Sequence, residues 1–236
     1  MPTAPPAPPS VDDPARLRPA LGRVARGLSA VFWGLPAAFL FTARTLLADW
    51  HHLAEMIPLG LAPLVVAHGL GRLAEYQPQE RIWRRTVVPA QRLMLVLAGL
   101  LPCVVLWGLL PQEPFFARAT ALTLALALAG VAVLAWVMRR LAAMLPDPAL
   151  RGDARLFAGL CTWLAGVFVA FFVALFFRAQ PMALGEFVQF IRRAPGAAQQ
   201  GVLLLICLAP VAMVMSVAWK LKELALALAL ASARED

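Results

Sequence analysis

Four stretches of this chain, residues 93–110, 119–138, 156–177 and 202–219, contain no Asp, Glu, Lys, Arg or His at all. A helical crossing of a bilayer needs about 20 apolar residues, with a range of roughly 17–25. Lipid offers no partner to a backbone amide, so a run of this kind must close its hydrogen bonds within itself, as a helix. Two further stretches, 28–47 and 56–71, are apolar but interrupted: the first holds Pro36 and Arg44, the second Pro58 and Pro63. Two crossings there, or a hairpin over 28–71 that dips in and returns, would leave the same parity. The expected fold is therefore all-α, a polytopic transmembrane bundle of about six spanning helices over residues 28–219.

Composition agrees. Hydrophobic residues make up 61% of the chain and charged ones 14%, against about 25% charged in an ordinary soluble domain. The net charge of +8 does not point to nucleic acid, because the charges lie in short clusters between apolar runs. That is the pattern of cytoplasmic loops. With the amino terminus inside and six crossings, 16 of the 21 basic residues fall on inner segments. Arg118, Arg178, Arg192 and Arg193 fall outside, and Arg44 within the first span. The positive-inside rule then places both termini in the cytoplasm, and an inner (cytoplasmic) membrane of a bacterium is the expected location. Trp50 and Trp107 mark outer boundaries, and Trp33, Trp136 and Trp219 inner ones. Trp163 lies deeper, and Trp83 sits in an arginine-rich inner loop, 72–92.

The flanks differ in kind. Seven prolines among the first 20 residues predict a disordered tail that turns basic before residue 28. Residues 220–236 are expected to form a cytoplasmic helical tail, since 224–231 are too few to cross again. No small-x-small site follows 28–41, so a cleaved signal peptide is not expected. Between the last two spans, Leu184, Phe187, Val188 and Ile191 recur at helical spacing, opposite Glu186, Gln189, Arg192 and Arg193. This predicts a short helix lying in the outer interface.

Small residues suggest how helices meet. Ala158, Thr162, Gly166, Ala170 and Ala174 stand four apart along the fifth span, and such a stripe lets a neighbouring helix approach closely. Ala121, Ala125 and Ala129 offer a possible partner groove on the fourth.

Chemistry is scarce. Ionisable side chains at depth mark proton relays, ion sites and membrane active sites, and spans three to six have none. Phosphate-binding loops, zinc-protease motifs and nucleophile elbows are absent, so no catalytic residue is assigned and no cofactor expected. Cys103, Cys161 and Cys207 stand alone in separate spans and read as small hydrophobes. His51 and Glu55, at i and i+4, together with His52, are weak metal candidates. A site shared by His52 and His68 is not expected unless 56–71 folds back on itself, because 16 helical steps of 1.5 Å separate them by roughly 24 Å.

These features suggest a non-catalytic integral subunit of a larger membrane complex. The alternative is a permease of an ATPase-driven, ABC-type exporter, by architectural analogy with no matching motif. More remote is a haem- or quinone-binding redox protein. Expected partners are the lipid bilayer, other membrane subunits or a cytoplasmic ATPase, and no nucleic acid.

Overall fold

The computed structural model describes residues 14–47, 52–76, 80–177 and 197–231, and every regular element among them is a helix. In order these are α1 (Pro14–Leu47), a 3₁₀ turn (Leu53–Glu55), α2 (Met56–Ala74), α3 (Arg81–Leu100), α4 (Pro102–Leu109), α5 (Pro114–Met144), α6 (Pro148–Phe177) and α7 (Ala197–Ala231). Five segments are long and apolar enough to cross a membrane: Pro19–Leu47, Leu53–Ala74, Arg81–Leu109, Pro114–Met144 and Pro148–Phe171. The sixth expected stretch, 202–219, lies inside α7. The chain is an integral membrane helical bundle.

Each helix buries a stripe that alternates three and four residues. On α1 it is Leu21, Val24, Leu28, Val31 and Leu35; on α3, Trp83, Val87, Ala90, Met94 and Leu97; on α7, Val211, Val214, Ala218, Leu221 and Ala225. A 3–4 alternation stays on one face of a helix and favours packing at shallow crossing angles, as in bundles and coiled coils. Sequence neighbours pack in turn: α1 on α2, α2 on α3, α3 on α5, α5 on α6 and α6 on α7. α7 then packs on α1 and closes the ring, while α5 reaches across to α7. α4 continues α3 beyond a break at Leu101–Pro102, where the proline ring supplies no N–H to the helix ladder.

The tightest contact is between α1 and α2. A Cβ built on Gly27 would lie 2.8 Å from the Gly69 carbonyl oxygen, and one on Gly69 would lie 2.7 Å from that of Gly27. Two turns further along α1, a Cβ on Gly34 would meet Val66 at 2.8 Å. Backbone touches backbone here, and any side chain at either glycine would push the helices apart.

The bundle extends past the apolar spans at the end where the basic residues gather. Residues 14–27, expected as a tail, are the first turns of α1, and Leu21, Val24 and Ala25 are buried. Of the two prolines there, Pro14 opens the helix, where an N–H would have no partner, and Pro19 lies inside it at the cost of one ladder bond. The described part of the expected inner loop 72–92 is the end of α2, a turn at Glu75 and the first three turns of α3. Trp83 is fully buried within it and donates its indole N–H to the Leu73 carbonyl at 3.0 Å. α6 begins on Asp147-Pro148: the Asp147 carboxylate accepts from the amides of Ala149 at 2.9 Å and Leu150 at 3.1 Å, an N-cap followed by proline at the first helical position. Lys220 donates to Asp153 at 2.7 Å, tying α7 to α6.

Aromatic side chains ring the bundle above this extension. Trp33, Trp136 and Trp219 are exposed, with Arg139 4.7 Å over the Trp136 ring and Lys222 5.1 Å over the Trp219 ring. Phe32 touches Trp219 with ring centroids 5.4 Å apart, so α1 and α7 share one level there. An indole with a cation on its face suits a membrane boundary, one side in hydrocarbon and the other in water.

Candidate functional site

A ring of six helices creates a packing problem at its centre. With neighbouring axes about 8–10 Å apart, the middle of a regular six-membered ring lies equally far from every axis and would admit a seventh helix. Toward the basic end the ring collapses to fill this space. Ala135, Met138, Ala158, Cys161 and Val214, contributed by α5, α6 and α7, meet there with little room to spare.

At the level of the prolines the collapse fails. A cavity of about 210 Å³ remains, walled by α1, α2, α3, α5, α6 and α7. Pro63 of α2 and Pro210 of α7 line it directly, and Pro36 of α1 and Pro102 of α4 each stand next to a lining leucine, Leu35 and Leu101. Proline within a helix removes one ladder bond and bends or splays the turns around it. Pro63 and Pro210 thus border the cavity within helices that run unbroken through them, while Pro102 opens α4.

The described lining is apolar apart from Thr42, whose hydroxyl already donates to the Ala38 carbonyl at 2.7 Å. A trapped water needs two to four polar partners, and these walls do not offer them. Along α1 the lining runs from Leu35 to Leu47, roughly 18 Å at 1.5 Å per residue. The cavity is thus a slot, long and narrow. It can hold hydrocarbon and has no group for acid–base, nucleophilic or metal chemistry among its described walls.

The metal candidates lie at the turn before α2. His52 is exposed just before the 3₁₀ turn, and His51 lies outside the described residues. Glu55 closes that turn, with Oε2 shielded from solvent and without a hydrogen-bond partner among the described residues. No group of three His, Cys, Asp or Glu side chains that could hold a metal occurs among the described residues. α2 is one uninterrupted helix from Met56 to Ala74, not a dip and return. His68, two turns from its end, accepts a hydrogen bond from Arg72 Nε at 3.1 Å, far from His52.

The small-residue stripe on α6 divides. Ala158 is buried, Thr162 is exposed yet accepts the Trp136 indole N–H at 2.9 Å, and Gly166, Ala170 and Ala174 are exposed. The buried positions are Leu150, Ala154, Ala158, Cys161 and Ala165. The geometry explains the divergence: four residues advance a helix of 3.6 per turn by about 40° beyond a full turn, so a strict spacing of four winds off the packed face. Ala121 and Ala125 of α5 are buried in a cluster with Trp107 of α4 and Leu46 of α1. The amphipathic segment 184–193 and Trp50 lie outside the described residues.

Sequence reasoning missed the cavity, although its prolines were all visible. Their depth relative to one another depends on helix register, which no single helix reveals. Comparison with protein-family models, curated proteins and solved structures finds no match for this chain.

Proposed function

We propose that the chain is a non-catalytic integral subunit of a larger membrane assembly, set in the inner membrane of a bacterium with its basic end toward the cytoplasm. The observation that carries the reading is the outward face of α6. Gly152, Gly159 and Gly166 recur every seven residues, and a Cβ on any of them would meet nothing within 4 Å. Trp163 between them is 71% exposed. Glycines at this spacing lower the surface of a helix so that another can approach closely, and in lipid that contact is a main source of association. The buried polar side chains among the described residues are Thr45, Thr120 and Thr123, none of them ionisable, which adds support.

The permease reading draws on a different place. Arg81, Arg84 and Arg85 are exposed on the first turns of α3 at the basic end, where an ATPase could dock.

Gentle extraction and native mass spectrometry test both readings. The subunit reading expects co-purified integral partners that are lost when Gly159→Leu and Gly166→Leu are introduced together, with thermal stability of the chain itself unchanged. A soluble ATPase as the sole companion would replace the subunit by the permease. A bare monomer with the same activity as the extracted material would remove both.

A further inference from the structure

We infer that the proline-level cavity holds one unbranched alkyl chain of a bilayer phospholipid. The inference is independent of the subunit reading, since it concerns the centre of the ring and not the outer face of α6.

Three observations lead there. The walls are apolar and the one hydroxyl, on Thr42, is engaged by its own helix, so the occupant brings no hydrogen bond. The volume of about 210 Å³ exceeds the engineered cavity of about 150 Å³ that takes benzene, and falls below the roughly 300–1,000 Å³ of pockets built for whole cofactors or drug-sized ligands. It therefore fits a segment of a molecule rather than a complete ligand with a head group. Finally, the lining residues descend α1 turn by turn, Leu35, Phe39, Thr42 and Leu46, while α3 contributes Met94 and Leu97 and α5 contributes Leu124 and Leu128. A narrow slot parallel to the helices has the shape of an extended hydrocarbon chain. The bilayer around the bundle presents such chains at the same depth and the same orientation.

Photolabelling in vesicles tests this. The whole chain is reconstituted in phosphatidylcholine doped with a phospholipid carrying a diazirine midway along one acyl chain. After illumination, peptides covering 35–47 and 124–131 are expected to carry label, alongside the exposed α6 segment 160–167. Ala127→Phe, which fills the slot from α5, should cut labelling of 35–47 severalfold and leave that of 160–167 unchanged. Equal labelling of 35–47 before and after filling overturns the proposal, as does its absence in the unaltered chain. Should the variant fail to fold, competition on the unaltered chain decides. Excess oleate displacing the label, with a branched isoprenoid alcohol leaving it in place, supports an unbranched chain. Displacement by both alike, or by neither, overturns it.

Discussion

Two tryptophans, one near each end of the bundle, are buried and differ in what they find there. Trp83, near the basic end, has no exposed surface, and its N–H reaches the Leu73 carbonyl, which also accepts from the Tyr76 amide. Trp107, near the other end, is 9% exposed and packs on Ala117, Ala121 and Ala125. Its N–H has no partner among the described residues. The contrast extends to their surroundings. Around Trp83 the helices run past the apolar spans and pack to a dense core of Leu21, Leu70, Leu73, Leu141 and Leu221. Trp107 belongs to a small separate cluster, and the proline-level cavity lies between the two ends. One end is built for stability, the other gives up packing.

Substitutions can break or sharpen this contrast, and the largest effect is expected where the dense end is tightest. Gly69→Leu forces a side chain into the Gly27 backbone and should cost about 3 kcal/mol or more, read as loss of a monodisperse peak in size-exclusion chromatography. Gly159→Leu on the open face of α6 is the control and should elute unchanged. The tryptophans follow. Trp83→Phe removes a satisfied hydrogen bond and leaves a void, at about 2–3 kcal/mol by thermal melting in detergent. Trp107→Phe removes an unsatisfied donor and should be neutral or mildly stabilising. Equal losses at both sites would abolish the distinction drawn between the ends.

A matched pair of alanines comes next. Ala142→Leu overfills the packed end and should lower the melting temperature, a cost of about 1–3 kcal/mol, whereas Ala127→Leu enters the cavity and should raise it. Asp147→Ala uncaps α6 at about 1 kcal/mol, and Asp147→Asn should restore most of that in the same assay. Smallest is Lys220→Ala. The Lys220–Asp153 pair is about half exposed, so its loss should stay under about 1 kcal/mol and vanish at high salt.

The parts of the fold legible in the sequence were those decided by hydropathy. The runs 119–138 and 156–177 lie wholly inside α5 and α6, and an apolar window is enough to find them. What escaped was decided by periodicity. Leu21, Val24, Leu28, Val31 and Leu35 carry a 3–4 alternation straight through Arg23 and Arg26, and a reading by composition saw only prolines and charge. The same holds for Trp83, Val87 and Ala90, set among Arg81, Arg84 and Arg85. The α1–α2 contact left a mark as well: Gly27 and Gly34 stand seven apart, as do Ala62 and Gly69. A spacing of seven keeps to one face, and the more conspicuous spacing of four on α6 does not. The cavity was beyond reach, because a void is a property of six registers together. Local likeness has its own limit: LAGLLPCVV (residues 97–105) and LICLAPVAM (residues 205–213) read alike around their prolines. Pro102 divides α3 from α4, while α7 runs unbroken through Pro210.

The contact that closes the ring joins the first helix to the last, α1 to α7, across more of the chain than any other. Helices are inserted in the order in which they are made, and those that meet early can pair early; α1 and α2 can lock at their glycines as soon as both are in the bilayer. The seam between α1 and α7 has to wait until α7 is made. Until then the flank of α1 that bears Leu21 and Leu28 lacks one of its two neighbours. At the level of Leu35 and Phe39 the future cavity is an open trough facing lipid. An acyl chain lying in that trough would be enclosed when α7 arrives, so filling the slot and closing the ring become a single event in the biogenesis of the protein.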